Sequence, residues 1–373
     1  MQITRIANLT GLDVVGLPVV QACRPNARSN AVSQGKGLDL DSARASAIME
    51  VVETFHAERI LRPVRFGSAA ELAGCARLVD VGRLPRLARS RYHSHLDMLW
   101  ISGEDLASGE EVWLPYETVH ARFKAPYPSG SGCFPLTTNG LASGNTRLEA
   151  IVHGLCEVIE RDALAVIESE PGRLRSARLD LASVDDPDAK RIIDRFDEVG
   201  IAIGVWDVTS DVGVPAFCCR IMERADGPGL LSSPVEGSGC HPERSVALLR
   251  AVTEAAQARV TVISGARDDV APAPFAPDDA TDLEAELSAL SSGHGERKFA
   301  AVANRPSPSF DEDVRWLVRR LQDRGVTEIA AVDLTADGAA PYAVVRVVVP
   351  GLAGIPDSDR SPAPGTVRPM VRR

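Results

Sequence analysis

The sequence predicts an α+β (mixed α/β) fold in a single domain. Helix-period and strand-period segments alternate without the regular βαβ rhythm of a parallel sheet. Several long stretches keep a 3.6-residue apolar repeat, while the strand-like runs are short and bounded by Gly or Pro. With 373 residues, 45% of them hydrophobic and 25% charged, the chain can bury a large core without staples. That core is expected over about residues 16–352, with 353–373 as an extended, proline-rich tail containing Pro356, Pro362, Pro364 and Pro369.

In chain order, residues 16–22 read as a short strand, and a glycine loop follows at 33–37. A helix is expected over 41–60, with Asp41 as its N-cap. Residues 63–135 suggest short strands and turns, one of them ending at Val112-Trp113-Leu114-Pro115. A second glycine-rich loop, 137–145, opens a long helix from Thr146 to about Glu168. Next come a charged helix (188–199), strands at 201–208 and 216–221, and a helix over 242–263. Residues 268–282, rich in Ala, Pro and Asp, read as an exposed loop. A helix (311–324), a strand (328–332) and a β-branched strand (343–349) complete the core.

The net charge of −10 comes without a basic stripe, which argues against a nucleic-acid binder. It leaves room for a nucleotide, because magnesium bridges carboxylates to phosphates. Seven cysteines at irregular spacing, with no CxxC pair, fit reduced thiols better than a disulfide framework or zinc site. No apolar run approaches the roughly 18 residues of a membrane span, and no apolar signal core is evident. The expectation is a cytoplasmic protein, with neither nucleic acid nor membrane as partner.

Two acidic stripes carry the chemistry. Ser46, Glu50 and Glu53 stand at i, i+4 and i+7, one face of the first helix. Glu149, His153, Glu157 and Glu160 stand at i, i+4, i+8 and i+11 of the second, whose opposite side is almost continuously apolar. Gathered carboxylates repel, by about 4 kcal/mol for a pair ~4 Å apart at an effective dielectric of ~20. A magnesium ion would turn that repulsion into coordination. The alternative is a solvated face, with Glu149 merely completing a Thr146-x-x-Glu149 capping box.

The glycine loops are not a Walker A motif, although the one before Thr146 meets a helix N-terminus that favours anions. The third long helix carries Arg250, Glu254 and Gln257 at i, i+4 and i+7, either a surface pair or part of a phosphoryl clamp. His93 and His95 are placed on one strand face and read as structural. Cys240-His241 is a weak nucleophile pair.

Taken together these segments resemble the YcaO family. The stretch 138–163, Thr138-Asn-Gly-Leu-Ala-Ser-Gly-Asn-Thr-Arg-Leu-Glu149 through Glu160-Arg161-Asp-Ala163, is similar to its longest signature, with Thr138 where serine is usual. Similar blocks occur at 33–37, at Ser46-x3-Glu50-x2-Glu53, from Gly237 through Arg250, Glu254, Gln257 and Arg259 to Asp269, and at Pro350-Gly351-Leu352. After Glu53 the family usually has arginine at the position held here by Thr54. The resemblance implies ATP and Mg2+ as cofactors. Glu50, Glu53, Glu149, Glu157 and Glu160 would be the magnesium and nucleotide carboxylates. Lys36, Ser46, Asn145, Arg161, Gln257 and Arg259 would belong to the ATP site, with Arg161 catalytic. The implied activity is phosphorylation of a peptide backbone amide oxygen.

Three nucleophiles serve such enzymes: a neighbouring side chain giving an azoline, external sulfide giving a thioamide, and an N-terminal amine giving an amidine. The block from Arg5 through Asp13 to Ser33 resembles stand-alone members paired with a TfuA partner, which points to thioamide formation on a peptide or protein. Azoline-forming members end in PxPxP; here Pro362-Ala-Pro364 begins that pattern and Thr366 breaks it. A catalytically silent peptide-binding relative is the alternative of another class, and the intact carboxylate set argues against it. No leader-binding domain is recognisable, so a partner is expected to deliver the peptide, and a homodimer is expected from the family.

Overall fold

The computed structural model describes residues 1–170, 172, 174–267, 280–292, 295–336 and 340–354. Its strands, in chain order, are β1 (Arg5–Asn8), β2 (Val19–Cys23), β3 (Val32–Lys36), β4 (Val64–Gly67), β5 (Met98–Asp105), β6 (Glu111–Pro115), β7 (Leu141–Gly144), β8 (Ile201–Asp207), β9 (Ala216–Glu223), β10 (Val235–Cys240), β11 (Ala330–Asp333) and β12 (Ala343–Val348). The helices are α1 (Leu40–Glu58), α2 (Ala69–Leu72), α3 (Arg147–Ser169), α4 (Leu174–Ala177), α5 (Pro187–Glu198), α6 (Arg244–Ser264), α7 (Ala280–Ser291) and α8 (Phe310–Gln322). The result is the expected α+β mixture of strands and long helices, and every ladder between the named strands is antiparallel rather than of mixed direction.

Three sheets each carry one long helix. The first, ordered β1-β2-β3, supports α1. The second, β10-β9-β8, supports α6, with α5 alongside. The third runs β4-β5-β11-β12-β7, with β6 added on β5, and α3 lies across β12 and β7. The apolar side of α3 explains its position: Ile151, Leu155 and Ile159 are buried against Val345 and Val347 of β12 and Leu317 and Leu321 of α8. Ala247, Leu248, Ala251 and Ala255 of α6 do the same against Phe217 and Cys219 of β9. Each helix thus turns its remaining face toward the space between the sheets.

Some local expectations are corrected. Residues 33–37 form most of β3 rather than a loop, because Gly35 lets α1 lie on the strand's backbone. A Cβ there would sit 2.0 Å from the Ala47 nitrogen. Similarly, Gly237 of the unforeseen strand β10 would meet the Ala255 nitrogen at 2.1 Å, so the small residues that weakened the strand signal are what admit α6. The N-cap of α1 is Asp39, not Asp41: its Oδ1 accepts from the Ser42 N–H at 2.8 Å. The loop 137–145 contains β7, which pairs with β12. His93 and His95 are exposed in a turn before β5 rather than on a strand. Of the expected loop 268–282, residues 280–282 open α7 and 268–279 lie outside the described residues, as do 355–373 of the expected tail. The seven cysteines are free thiols. Among the described residues no helix is long and apolar enough to cross a membrane.

Candidate active site

Helices α1, α3 and α6 face one another across a polar cavity of about 770 Å³, within the range of small-molecule sites. Ser46, Glu50 and Glu53 line it from α1, and His153, Glu157, Glu160 and Arg161 from α3. Arg250, Glu254 and Gln257 come from α6, Gln34 and Lys36 from β3, and Glu236 and Ser238 from β10. Arg267 closes one side. Six carboxylates therefore face four cations.

Specific bonds hold the carboxylates at the wall. Glu50 Oε2 accepts the Gln34 N–H at 3.2 Å, and Glu53 Oε1 accepts the Ser143 hydroxyl at 2.6 Å. Ser238 donates to Glu160 Oε1 at 2.6 Å, and the Arg161 guanidinium lies 3.8 Å from the same oxygen. Lys36 Nζ bonds Glu254 Oε2 at 2.9 Å, tying the first sheet to α6. Gln257 donates to the Gln34 carbonyl at 3.2 Å.

Burial and crowding shift the charges. Glu53 is pushed up to about 8 by burial, with Glu50 and Glu157 adding to the rise against the Ser143 hydrogen bond. Glu50 and Glu157 are each pushed up to about 7, chiefly by burial. Glu160 is raised by burial and the neighbouring Glu254, against the pull of Arg161. Glu254 goes the other way: burial opposes it, but Lys36 and Arg161 hold it below its ordinary value. Burial and the Arg250 charge depress His153 to about 3, so it stays neutral. Burial works against the Arg161 charge, but Glu160 and Glu157 outweigh it and raise the guanidinium. A wall of carboxylates this reluctant to ionise is short of positive charge, as a site built to receive a cation should be.

Among the described residues no group of three or more His, Cys, Asp or Glu converges tightly enough to cage a metal unaided. Magnesium at nucleotide sites takes one or two carboxylates and completes its shell with water and phosphate oxygens. The donor set here, hard oxygens beside lysine and arginine in a polar cavity, suits that arrangement.

Three sequence-selected residues, Arg259, Glu149 and Asn145, lie outside the cavity lining. Arg259 is two positions beyond Gln257, about 200° around the helix, and so points away from the cavity. It is 1% exposed, pairs with Asp13 at 3.0 Å and with Glu223, and donates to the Leu231 carbonyl at 3.4 Å. Glu149 accepts from the Asn145 N–H at 2.9 Å and from its Nδ2 at 3.0 Å, while Thr146 caps the Glu149 N–H. Both Asn145 and Glu149 lie outside the cavity lining, at the start of α3. Conversely, Arg250 and Glu254 line the cavity, although their spacing alone favoured a surface pair. Glu254 finds Lys36, 218 residues away, a partner no local pattern could reveal. Gln34, Ser143, Ser238 and Arg267 stand inside the family-like segments but are not among the expected site residues.

A polar cavity with hard oxygen donors beside lysine and arginine suits a magnesium nucleotide, and the family match shows that class. Residues 34–353 match the YcaO family, described as YcaO cyclodehydratase, ATP- and Mg2+-binding, and the chain belongs to that family. ATP and Mg2+ are accordingly its cofactors. The chain is 37% identical over 360 residues to an uncharacterized protein in the tfuA 3′ region of Rhizobium leguminosarum bv. trifolii, covering 94% of this chain and 83% of that one. It is 36% identical over 358 residues to a protein of Methanothermobacter thermautotrophicus, covering 94% and 89%. Among solved structures, YcaO from Methanopyrus kandleri bound with AMPPCP and Mg2+ superposes with a TM-score of 0.69 at 24% identity, over 94% of this chain and 86% of that one. A heterocyclase in complex with substrate and cofactor gives 0.73 at 23%, over 94% of this chain; the chain spans 50% of that heterocyclase.

Proposed function

We propose that this protein uses MgATP to phosphorylate the oxygen of a peptide backbone amide, so that sulfide replaces that oxygen and a thioamide results. The observation that carries the reading is the cavity itself, where Glu50 and Glu53 of α1 and Glu157 and Glu160 of α3 share one wall system with Lys36, Arg161 and Arg250. Magnesium, held by glutamates of this set, would supply charge neutralisation at the phosphates. The protein's own part is positioning and electrostatics. Lys36, Arg161 and Arg250 line the cavity where the phosphates would lie, and Arg161, kept charged by Glu160 and Glu157, would stabilise the charge of a transferring phosphoryl group. His153 remains neutral, adding no competing positive charge.

The chemistry needs such a site because an amide oxygen is a poor leaving group and a phosphate is a good one. Sulfide as nucleophile is supported by the relative in the tfuA 3′ region, which also supports a TfuA-like protein as the partner that presents sulfur or substrate. The second reading, azoline formation, rests on the cyclodehydratase in the family's description. Mass spectrometry of a peptide incubated with the enzyme, its partner, MgATP and sulfide separates the two. Exchange of oxygen for sulfur makes the product heavier, whereas ring closure removes one water. A peptide that loses mass overturns the thioamide reading, and absence of ATP consumption by the complete system overturns both.

A further inference from the structure

Behind Glu157 and Arg161 lies a second cavity, of about 270 Å³, which shares Thr138, Glu157 and Arg161 with the first. Its walls are largely apolar, from Leu84, Phe134, Val349 and Leu352. Its polar side chains are unusual. Arg346 of β12 is 3% exposed and donates only through Nη2, to the Thr137 carbonyl at 2.9 Å and the Thr137 hydroxyl at 3.4 Å. Its Nε and Nη1 are buried with no hydrogen-bond partner among the described residues, and so are Arg86 Nε and Asn139 Oδ1. Three of the four are donors and one is an acceptor, all on residues lining the same small space.

Buried polar groups are almost always paired, so a cluster of orphans in one cavity points to an absent ligand. A peptide unit is complementary to this cluster: its carbonyl offers two lone pairs to guanidinium donors, and its N–H matches a lone acceptor. A simple anion would satisfy the arginines and leave Asn139 Oδ1 without a donor. The apolar walls suit the carbon atoms flanking a peptide bond. We propose that this cavity binds the backbone amide to be modified, with its carbonyl oxygen accepting from Arg346 and directed toward the Glu157–Arg161 boundary with the nucleotide cavity. This rests on the ATP reading and adds the place of the acceptor amide.

The test uses N-acetylglycine N′-methylamide, a minimal peptide, as probe. Its binding to the full-length chain is followed by saturation-transfer NMR, with and without MgAMPPCP, whose own affinity is measured calorimetrically on the same samples. Arg346→Gln removes the orphan donors. Val348→Phe adds bulk on the same strand face, two residues on, and carries the test if Arg346→Gln folds poorly. The expected result is saturable probe binding to wild type, weakened about tenfold or more in each folded variant, with MgAMPPCP affinity unchanged. Probe binding absent from wild type or equal in both variants, MgAMPPCP affinity falling in step with the probe, or acetate binding there more tightly than the diamide would each overturn the assignment. The ATP reading fails instead on absence of MgAMPPCP binding to wild type, so either can fall alone.

Discussion

Glu53→Gln should stabilise the nucleotide-free protein while removing its response to MgATP. Glu53 has a folded-state value of about 8 against an ordinary 4.5, so between those values the folded chain holds a proton that the unfolded chain has lost. Stability therefore falls as pH rises through this window, and the full contribution of the protonated form is present only below it. At 1.36 kcal/mol per pH unit, the stability lost relative to low pH would be about 3 kcal/mol at pH 7 and about 5 kcal/mol above pH 8. Glu53 is only half-buried, so solvent screens part of this, which brings the working figure to about 2 kcal/mol.

Glutamine keeps an oxygen for the Ser143 hydroxyl and removes the charge, so little is lost in exchange. For a chain of this length the gain corresponds to about 3 °C in melting temperature. The assay is thermal unfolding of both proteins from pH 5 to 9 in chelator, then with MgAMPPCP. Wild type should lose stability with rising pH more steeply than the variant, since Glu50 and Glu157 keep their own slopes in both up to about pH 7. MgAMPPCP should then raise the wild-type transition and leave the variant nearly unmoved. Parallel pH profiles, or a variant less stable than wild type at pH 8, would refute the claim that this carboxylate is held against its charge preference.

Glu157→Gln should weaken MgAMPPCP by about tenfold or more in calorimetry without lowering metal-free stability; a loss of fold with unchanged affinity would make Glu157 structural. Lys36→Met should raise the ATP KM about tenfold and let Glu254 titrate higher, because its first stabilising charge is gone. An unchanged KM would remove Lys36 from the nucleotide site. Arg259→Met should cost about 3–5 kcal/mol in urea unfolding by stranding Asp13 and Glu223, while the folded fraction keeps wild-type nucleotide affinity. Weaker nucleotide binding at undiminished stability would return Arg259 to the ATP site.

What the sequence made legible was whatever depends on helical period alone. Glu50 and Glu53 on one face, and Glu157 and Glu160 on another, follow from 3.6 residues per turn, and both faces do line the cavity. The same rule separates Gln257 from Arg259, yet a motif that lists both side by side hides the separation. Period cannot say which faces of distant helices meet, and the Lys36–Glu254 bond is decided entirely by that. Nor does propensity reveal strands such as β3 and β10, whose glycines disfavour a strand in isolation. They become strands because α1 and α6 need bare backbone to rest on, a tertiary demand that overrides the local one.

That demand also explains how so unfavourable a wall of charge is kept in place. Each acidic face belongs to a helix whose other side is anchored on its own sheet, so repulsion across the cavity cannot be relieved by the helix turning away without unpacking a core. The strain stays in the ionisation equilibria instead, where Glu50, Glu53 and Glu157 all hold their protons too tightly. A divalent cation bound among them would relieve all three at once. At a hundred times its dissociation constant it would add about 2.7 kcal/mol to the fold, comparable to the cost of ionising Glu53. Nucleotide affinity and pH stability are then two readings of one charge deficit, and variants that neutralise a wall glutamate should move them in opposite directions.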